Sequence, residues 1–276
     1  MTESQTPSET PYETPYETPY ETVVYEVAAE DGVATITLDR PERLNAFNRR
    51  MCEEIAEVWD AIKLDDRVRA VVVRGAGDRA FSAGLDVKES FGQPEIVWNH
   101  LDPGEFLSPK WREVWKPVVC AVHGICTAGA LYFVNEADVV ICSEDATFFD
   151  SHVTFGMVSA IEPVGLMRRI GLGETLRMAL TGNGERVSAE TALRIGLVTE
   201  IVPREDLFDH AHEIAKGIAA FPAVATQGTV RAIWESLDKP YRAAVQQGLM
   251  YTRLGNPVGQ AEVERDGPAG GKPRIR

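Results

Sequence analysis

The chain has 276 residues, of which 44% are hydrophobic, so it is long enough to bury one large core or a core with a helical appendage. The formal net charge is −14 and the isoelectric point is near 4.9. This acidity argues against a nucleic-acid groove, because phosphate binding needs clustered Lys and Arg. The negative charge is spread along the chain, which is typical of a solubilising surface.

The first residues repeat a Pro-Tyr-Glu-Thr unit, with prolines at Pro11, Pro15 and Pro19. A proline every four residues prevents a continuous helix, and the unit offers little to pack against a core. We therefore expect a solvated tail over residues 1–22. The alternative is a binding motif that uses the regularly spaced tyrosines as apolar handles.

Targeting and redox signals point to one compartment. The N-terminus lacks a basic start followed by an apolar run, so we expect no secretory signal. The longest apolar run, residues 118–134, is shorter than a comfortable bilayer span and contains a histidine and two glycines, so we expect no membrane segment. The four cysteines form no C-x-x-C pair, which favours buried free thiols over disulfides or zinc. These signals predict a cytoplasmic protein without a metal site.

Hydrophobic periodicity predicts a layered α/β core over residues 23–203. Residues 23–28 and 33–39 alternate as the two strands of a hairpin around Glu30-Asp31-Gly32. Apolar residues from Met51 to Ile62 lie at helical spacing, and residues 69–74 form an apolar run that predicts a buried strand. This β-β-α-β beginning is loosely repeated over residues 117–149, where two apolar runs flank a helix that starts near Gly129.

The rest of the chain is predicted to be mainly helical. We expect helices over residues 162–171, 173–180 and 188–195, a strand over 196–202, and long helices over 206–220 and 223–237. Periodicity is lost after Gly255. We assign residues 204–276 to a C-terminal helical region. Residues 89–115 contain three prolines among aromatic residues and are predicted to be irregular and partly helical.

Two bends combine a buried strand, small residues and a change of direction. The first strand runs into Gly75-Ala-Gly77 and then into Phe81-Ser-Ala-Gly-Leu-Asp86; the second runs into residues 124–130, Gly-Ile-Cys-Thr-Ala-Gly-Ala, and a helix. Small side chains let a backbone N–H approach a ligand, and the first N–H groups of a helix favour negative charge. The second bend is therefore an oxyanion site in outline. A tightly packed crossover without a ligand is the alternative.

These motifs resemble the crotonase, or enoyl-CoA hydratase/isomerase, superfamily. The motif Phe-Ser-Ala-Gly-x-Asp is followed downstream by His-Gly-x-x-x-x-Gly, and Thr37-Leu-Asp-Arg-Pro41 precedes Leu44-Asn-Ala46. The resemblance runs from about residue 23 to about residue 240. It implies a crotonase-like ββα superhelix with a C-terminal helical region. It also implies an acyl-CoA thioester as substrate without a further cofactor, and a homotrimer or dimer of trimers.

The resemblance implies an oxyanion hole made of two backbone N–H groups, those of Leu85 and Gly129. Each such donor is worth about 2.7–4 kcal/mol when the thioester carbonyl becomes an enolate or a tetrahedral oxyanion. We expect position 129 to be restrictive, because a larger side chain would crowd the ligand.

CoA binding is implied for two segments that match the family pattern. The backbone at Ala83 is expected to hold the adenine, and the nucleotide and pantetheine arm would contact the residues Arg43, Leu44, Ala46, Asp86, Val87 and Lys88. Arg43 and Lys88 are candidates for phosphate contacts, and solvent-facing side chains are the alternative reading of both.

The acid/base groups depart from the hydratase pattern. Typical hydratases of the superfamily carry glutamates three and twenty-three residues after the second oxyanion glycine, and these positions are Tyr132 and His152 here. We expect His152 to act as a base oriented by Asp150 or Glu162, since Asp150 and His152 would face the same side of a strand. Tyr132 is a candidate proton donor. The alternatives are a histidine satisfied by hydrogen bonds and a tyrosine that only packs.

Several functions fit this pattern. The first is an acyl-CoA-processing enzyme that performs isomerisation, altered hydration or hydrolysis, and the second is a non-catalytic CoA-thioester-binding protein. Residues 75–80 mimic a dinucleotide fingerprint without the following helix, and residues 124–128 mimic a nucleophile elbow around Cys126 without its final glycine.

The C-terminus lacks the aromatic-containing end common in the family. The acyl chain depends on the cover formed by residues 89–115.

Overall fold

The computed structural model describes residues 20–89, 102–267, 269, 274 and 275. The predicted cover segment lies partly outside this range, as does the tail up to residue 19. Thr22, which we assigned to the solvated tail, is buried, and its backbone N–H donates to Glu54 Oε2 at 2.9 Å. The Glu54 carboxylate also accepts from the Glu21 N–H at 2.7 Å. The chain is thus anchored to the core before the first strand begins.

The larger sheet has six strands. Their bounds are β1 (Val23–Ala28), β2 (Val33–Leu38), β3 (Ala70–Gly75), β5 (Val118–Val122), β7 (Val139–Ser143) and β10 (Glu200–Val202). They are hydrogen-bonded in the order β1-β2-β3-β5-β7-β10; β1 and β2 are the predicted antiparallel hairpin, and every later pairing is parallel. The predicted strand over residues 196–202 is shorter than expected, because only its last three residues pair.

The smaller sheet is built from the segments that follow the strands of the larger one. It contains β4 (Ala80–Ser82), β6 (Ile125–Thr127), β8 (Thr147–Phe149) and β9 (Val187–Ser188), paired in that order. The pairings β4–β6 and β6–β8 are parallel, whereas β8–β9 is antiparallel. Each of β4, β6 and β8 comes a few residues after β3, β5 and β7. This stacking of successive turns is the superhelical arrangement that the family resemblance implied.

The helices cover both faces of the larger sheet. Their bounds are α1 (Arg49–Leu64), α2 (Gly104–Leu107), α3 (Leu131–Glu136), α4 (Ile161–Thr181), α5 (Ala189–Ile195), α6 (Leu207–Ala219), α7 (Ala223–Ser236) and α8 (Tyr241–Asp266). One apolar cluster joins the sheet to the buried face of α1 and to α3. A second cluster joins the opposite face to Leu207, Ala211, Ala215 and Ala219 of α6. The small residues of α6 allow it to lie close to the strands.

Two helices differ from their sequence-based predictions. The helices expected over residues 162–171 and 173–180 are joined as α4, which is interrupted where Gly171 has a φ of 75°. The break falls where the glycines predicted it, because only glycine takes such a φ readily. Helix α8 continues to Asp266, past Gly255, where periodicity is lost. Much of its surface is exposed, so it does not need a continuous apolar stripe.

Two further predictions can be compared with the described residues. Cys52, Cys120, Cys126 and Cys142 are all buried free thiols, as expected. Within the described ranges, no helix combines the length and the apolar content needed to cross a bilayer. The division of the chain at residues 203 and 204 stays a prediction.

Candidate active site

A buried asparagine shapes the first predicted CoA segment. Leu44 and Asn45 both have a positive φ, 55° and 53°, a conformation that asparagine tolerates better than most residues. The Asn45 Nδ2 donates to the carbonyls of Ala76 and Ala80, each at 2.9 Å. Its Oδ1 accepts from the Arg40 N–H at 3.0 Å. One side chain therefore holds this turn against the bend that follows β3.

Backbone hydrogen bonds join the two predicted CoA segments. The Ala83 N–H donates to the Leu44 carbonyl at 2.9 Å, and the Phe47 N–H donates to the Gly84 carbonyl at 2.8 Å. The Asp86 N–H donates to the Phe47 carbonyl at 2.9 Å. Because residues 84 and 86 make the bonds to Phe47, the Leu85 N–H points to the opposite side of this extended pair. Residues 43–47 and 83–86 are therefore joined into one unit by backbone hydrogen bonds.

The second bend lies against the first. Strand β6 ends at Thr127 and leads into a 3₁₀ helix, Ala128–Ala130, whose first N–H groups lack intrahelical partners. A Cβ built on Gly84, whose φ is 81°, would lie 2.9 Å from the Thr127 carbonyl oxygen and 3.0 Å from the Gly129 nitrogen. Only glycine at position 84 allows the two backbones to pack this closely. The bends that carry Leu85 and Gly129 are thus adjacent.

The restriction at Gly129 has a different cause from the one expected. A Cβ built there would lie 2.5 Å from Cζ of the Phe47 ring and 3.4 Å from Cε2 of Tyr132. We expected a larger side chain to crowd a ligand, but the structure shows that it would first collide with Phe47. Ala128, just before it, has a φ of 51°, which is strained for a residue with a Cβ.

Asp150 and His152 meet, but not across a strand. Strand β8 ends at Phe149, and His152 begins a 3₁₀ helix, His152–Phe155. Asp150 Oδ1 accepts from the His152 backbone N–H at 3.0 Å and lies 2.6 Å from His152 Nδ1. The hydroxyl of Ser159 donates to Asp150 Oδ2. The same contact that we predicted from strand alternation is therefore produced by a turn in which the Asp150 side chain bonds the backbone two residues on.

These contacts define the protonation of the histidine. An ionised carboxylate only accepts hydrogen bonds, so the Nδ1 of His152 carries a proton and the Nε2 of the neutral ring is the free base. The hydrogen bond to Asp150 raises the pKa of His152 above its ordinary value. Burial alone would raise the pKa of Asp150, but its hydrogen bonds to His152 and Ser159 lower it.

Glu162 lies on the other side of the imidazole. Its Oε1 is 3.7 Å from His152 Nε2, and its side chain is 6% exposed in the first turn of α4. The Asn135 Nδ2 donates to the Glu162 carbonyl at 2.9 Å and ties this turn to α3. Burial raises the pKa of Glu162. Asp150, His152 and Glu162 therefore form a continuous row of titratable groups.

Tyr132 lies on α3 and bonds to a residue outside this row. Its hydroxyl donates to Asp102 Oδ1 at 2.7 Å, and its side chain is buried. Burial, together with the nearby carboxylates of Glu162 and Asp102, raises the pKa of Tyr132 above its ordinary value. Tyr132 and Asp102 line a groove of about 590 Å³ together with Trp111 and with Trp234 of α7.

The predicted CoA residues differ in exposure. Arg43, Val87 and Lys88 are exposed, Leu44 and Ala83 are half-buried, and Ala46 is buried. Asp86 is 6% exposed and faces inward, where its Oδ2 lies 3.2 Å from Arg40 Nη2. Among the described residues, no cluster of His, Cys, Asp and Glu could hold a metal ion.

The chain is similar in sequence and in fold to known proteins. The family model described as Enoyl-CoA hydratase/isomerase matches residues 28–255 of the chain. The chain belongs to the enoyl-CoA hydratase/isomerase family. Its fold is that of a crystal structure of an enoyl-CoA hydratase/isomerase from Mycobacterium paratuberculosis, with a TM-score of 0.82 and 35% identity over 92% of this chain and 99% of that one. The resemblance and the crotonase-like α/β fold inferred from the motifs are confirmed.

Relatives of this chain within the family are named for different reactions. The (E)-benzylidenesuccinyl-CoA hydratase of Thauera aromatica is 31% identical over 224 residues, which cover 80% of this chain and 85% of that protein. The 1,2-epoxyphenylacetyl-CoA isomerase of Escherichia coli is 33% identical over 199 residues, which cover 70% of this chain and 75% of that protein. The family processes acyl-CoA thioesters. Because its members catalyse different reactions, the reaction of this chain has to be inferred from its site.

Sequence reasoning missed three contributors to the site. Asp102 is 30 residues from Tyr132 and belongs to the irregular segment, Ser159 follows a loop without periodicity, and Phe47 adjoins a motif but reads as an ordinary core residue. No local pattern marks the first two. Asn45 belongs to the Leu44-Asn-Ala46 motif, but its role in holding the turn depends on carbonyls more than 30 residues away.

Proposed function

We propose that this protein is an enoyl-CoA isomerase, which moves a double bond by transferring a proton along an acyl-CoA thioester. The observation that carries this proposal is the row Asp150–His152–Glu162 beside the two backbone bends. A 1,3-proton shift needs a group that first takes a proton and later returns it. A histidine with a protonated Nδ1 and a free Nε2 meets this need.

The backbone N–H groups of Leu85 and Gly129 act as the oxyanion donors in this proposal. They stabilise the thioester oxygen when loss of the α-proton turns it into an enolate, and each contributes about 2.7–4 kcal/mol. The adjacency of the two bends and the outward direction of the Leu85 N–H support this assignment. CoA lies along the joined segments, with the Ala83 backbone at the adenine and the exposed Arg43 and Lys88 at phosphates.

His152 Nε2 removes the α-proton, and the same proton is then delivered to the γ-carbon. The Asp150 carboxylate stabilises the imidazolium that forms in between. The Glu162 carboxylate, whose Oε1 lies 3.7 Å from Nε2, adds to this stabilisation through its charge. Hydration by the usual pair of glutamates is not supported by this chain, because Tyr132 and His152 occupy those positions and Tyr132 already donates its O–H to Asp102.

The assembly is proposed as a homotrimer or a dimer of trimers, following the family resemblance. Large apolar side chains are exposed along α4 and α8, including Met167, Leu176 and Leu249. Such side chains on a single chain are consistent with burial against copies of itself. The cytoplasmic location also stays a prediction.

Two substrates test the reaction. Purified protein is given 3-hexenoyl-CoA, whose isomerisation creates the conjugated thioester absorbance, and crotonyl-CoA, whose hydration removes it. We expect isomerisation to exceed hydration, and His152→Ala to lower the isomerisation rate by about 10²- to 10⁴-fold. His212→Ala, which changes a histidine on α6 that is paired with Asp31, is the matched control and keeps the rate.

Other results would replace this proposal. Hydration of crotonyl-CoA faster than isomerisation, with both lost in His152→Ala, would identify a hydratase with altered residues. Tight binding of both thioesters without any product would favour the non-catalytic CoA-thioester-binding protein.

A further inference from the structure

We infer that the groove beside Tyr132 receives the far end of the acyl group, and that it selects an aryl ring over a straight alkyl chain. This inference deepens the proposed function and rests on it, because it names the class of thioester that the same site takes. Three observations carry it: the groove adjoins the proposed oxyanion bend, indole rings form part of its wall, and charged side chains limit its apolar surface.

The ring of Tyr132 is a wall shared by the oxyanion bend and the groove. A Cβ built on Gly129 would lie 3.4 Å from Tyr132 Cε2, and one built on Gly104 would lie 2.7 Å from Cε1. Because these two carbons are on opposite edges of the ring, the ring lies between the bend and the start of α2. Its hydroxyl donates to Asp102 Oδ1 at 2.7 Å, which holds this orientation. The same ring lines the groove, so an acyl chain that extends past it enters the groove.

A second segment joins the groove to the row of titratable groups. The Ser159 hydroxyl donates to Asp150 Oδ2, and Glu162 Oε1 lies 3.7 Å from His152 Nε2. The residues that lie between Ser159 and Glu162 in the chain line the groove. The groove therefore lies beside the proposed base as well as beside the oxyanion bend.

Three tryptophans line the groove, and two of them are held by other residues: Trp111, Trp115 and Trp234. The guanidinium carbon of Arg231 lies 5.3 Å from the centroid of the Trp115 ring. The Trp234 Nε1 donates to Asp138 Oδ1 at 2.6 Å. Trp111 is 68% exposed, so its indole has surface left to bury against a ligand. Flat indole surfaces favour a flat ring, because aromatic pairs gain attraction from their geometry beyond the area that they bury.

The volume and the charges of the groove limit what it can hold. Its volume is about 590 Å³, whereas a cavity of about 150 Å³ is enough for benzene. Charged side chains line it too, among them Arg168 and Asp238, whose Nη2 and Oδ1 atoms are 2.5 Å apart. A long alkyl chain would displace water from such groups without replacing its hydrogen bonds, which is unfavourable. A compact ring can instead remain against the indoles.

The substitution Trp111→Leu removes the most exposed of the three indoles. An exposed side chain can be shortened with little effect on stability, so the variant should fold. Trp111→Phe keeps an aromatic surface and should retain most of the preference for a ring. Tyr241→Leu is the matched control, because Tyr241 is an 82% exposed aromatic residue that begins α8 outside the groove.

The experiment measures the Kd of three saturated thioesters by titration calorimetry: butyryl-CoA, undecanoyl-CoA and 5-phenylpentanoyl-CoA. The last two have the same number of carbon atoms. We expect 5-phenylpentanoyl-CoA to bind about 10-fold more tightly than butyryl-CoA, because its ring is removed from water. It should bind about 3-fold more tightly than undecanoyl-CoA, because only the ring pairs with the indoles.

The variants should change this order in a specific way. Trp111→Leu should weaken 5-phenylpentanoyl-CoA binding about 5-fold and leave butyryl-CoA binding unchanged, since only the longer acyl group reaches the indole. Tyr241→Leu should change none of the three affinities. None of these thioesters has a double bond to move, so the affinities are measured whether or not the protein is an isomerase.

The other outcomes separate this inference from the proposed reaction. Undecanoyl-CoA binding as tightly as 5-phenylpentanoyl-CoA would overturn the preference for a ring. Equal weakening of all three thioesters in Trp111→Leu would place the indole against the CoA part and overturn the assignment of the groove. The expected order of affinities without isomerisation of 3-hexenoyl-CoA would support the groove assignment and reject the isomerase.

Discussion

At the scale of single residues, Asp150 controls when His152 can act as a base. Three donors surround its carboxylate: the His152 backbone N–H, the His152 ring and the Ser159 hydroxyl. The hydrogen bond that the ring donates to Asp150 stabilises the charged imidazolium, so the pKa of His152 is above its ordinary value. The neutral ring, which is the free base, therefore forms only as the pH rises through this raised pKa. Activity should increase over the same pH range.

The substitution Asp150→Asn tests this dependence. It removes the charge that favours the imidazolium, so the rising limb of kcat/KM against pH should move to lower pH. The maximal rate should fall by about 10²- to 10⁴-fold, because the asparagine can also hold the wrong tautomer. Ser159→Ala keeps the carboxylate and should give a smaller change in the same rate. A rising limb that stays in place in Asp150→Asn would show that Asp150 does not govern this titration.

The residue scale also shows how far motif reasoning reaches. His152 and Glu162 were identified as candidates because they stand near positions that differ from the hydratase pattern. Asp102, the partner of Tyr132, was not identified, because this contact depends on how the chain returns after 30 residues. The contact between Asp150 and His152 was predicted for the wrong reason, since a turn rather than a strand produces it.

At the scale of elements, the site depends on two bends packed backbone against backbone. Gly84 and Gly129 are both glycines because a Cβ at either would collide with a neighbour. At Gly129 that neighbour is the buried ring of Phe47, from the segment before α1. A core aromatic thus sets the limit on the side chain at a proposed oxyanion position.

The substitution Gly129→Ala tests which neighbour imposes this limit. The added Cβ should displace Phe47 and lower the free energy of unfolding by about 1–3 kcal/mol, as overpacking does. Adding Phe47→Leu should recover part of that stability, although Phe47→Leu alone destabilises. The measurement is urea unfolding of the two single variants and the double variant, taken as a double-mutant cycle. Strictly additive losses would show that Phe47 is not the colliding group.

At the scale of the whole molecule, stability should depend on pH through His123. This residue is fully buried where the β5–β6 turn meets Phe208 of α6, with ring centroids 5.7 Å apart. Burial, and then the charge of Arg204, lower the pKa of His123 from 6.5 to about 4. The unfolded chain therefore binds a proton between these values that the folded chain does not. His123 therefore does not reduce the free energy of unfolding above pH 6.5. Below that pH its effect lowers the free energy of unfolding, increasingly as the pH falls toward 4.

Unfolding at two pH values checks this expectation. Between pH 7 and pH 4.5 the wild type should lose about 2–3 kcal/mol through His123, since one pKa unit corresponds to about 1.4 kcal/mol. His123→Leu should remove that part of the pH dependence. Phe208→Leu disturbs the same contact without removing a titrating group, so it should lower stability by a similar amount at both pH values. An unchanged slope in His123→Leu would contradict the assignment.

The strands of the larger sheet, most of the helices, the positions of the two bends and the family were determined by the sequence alone. Hydrophobic periodicity and glycine spacing are local properties, so they can be read without a structure. The tertiary structure decided which groups meet: Asp102 with Tyr132, Ser159 with Asp150, and Phe47 with Gly129. These residues are distant in the sequence or separated by an irregular loop, so no local pattern relates them and only the folded chain brings them together.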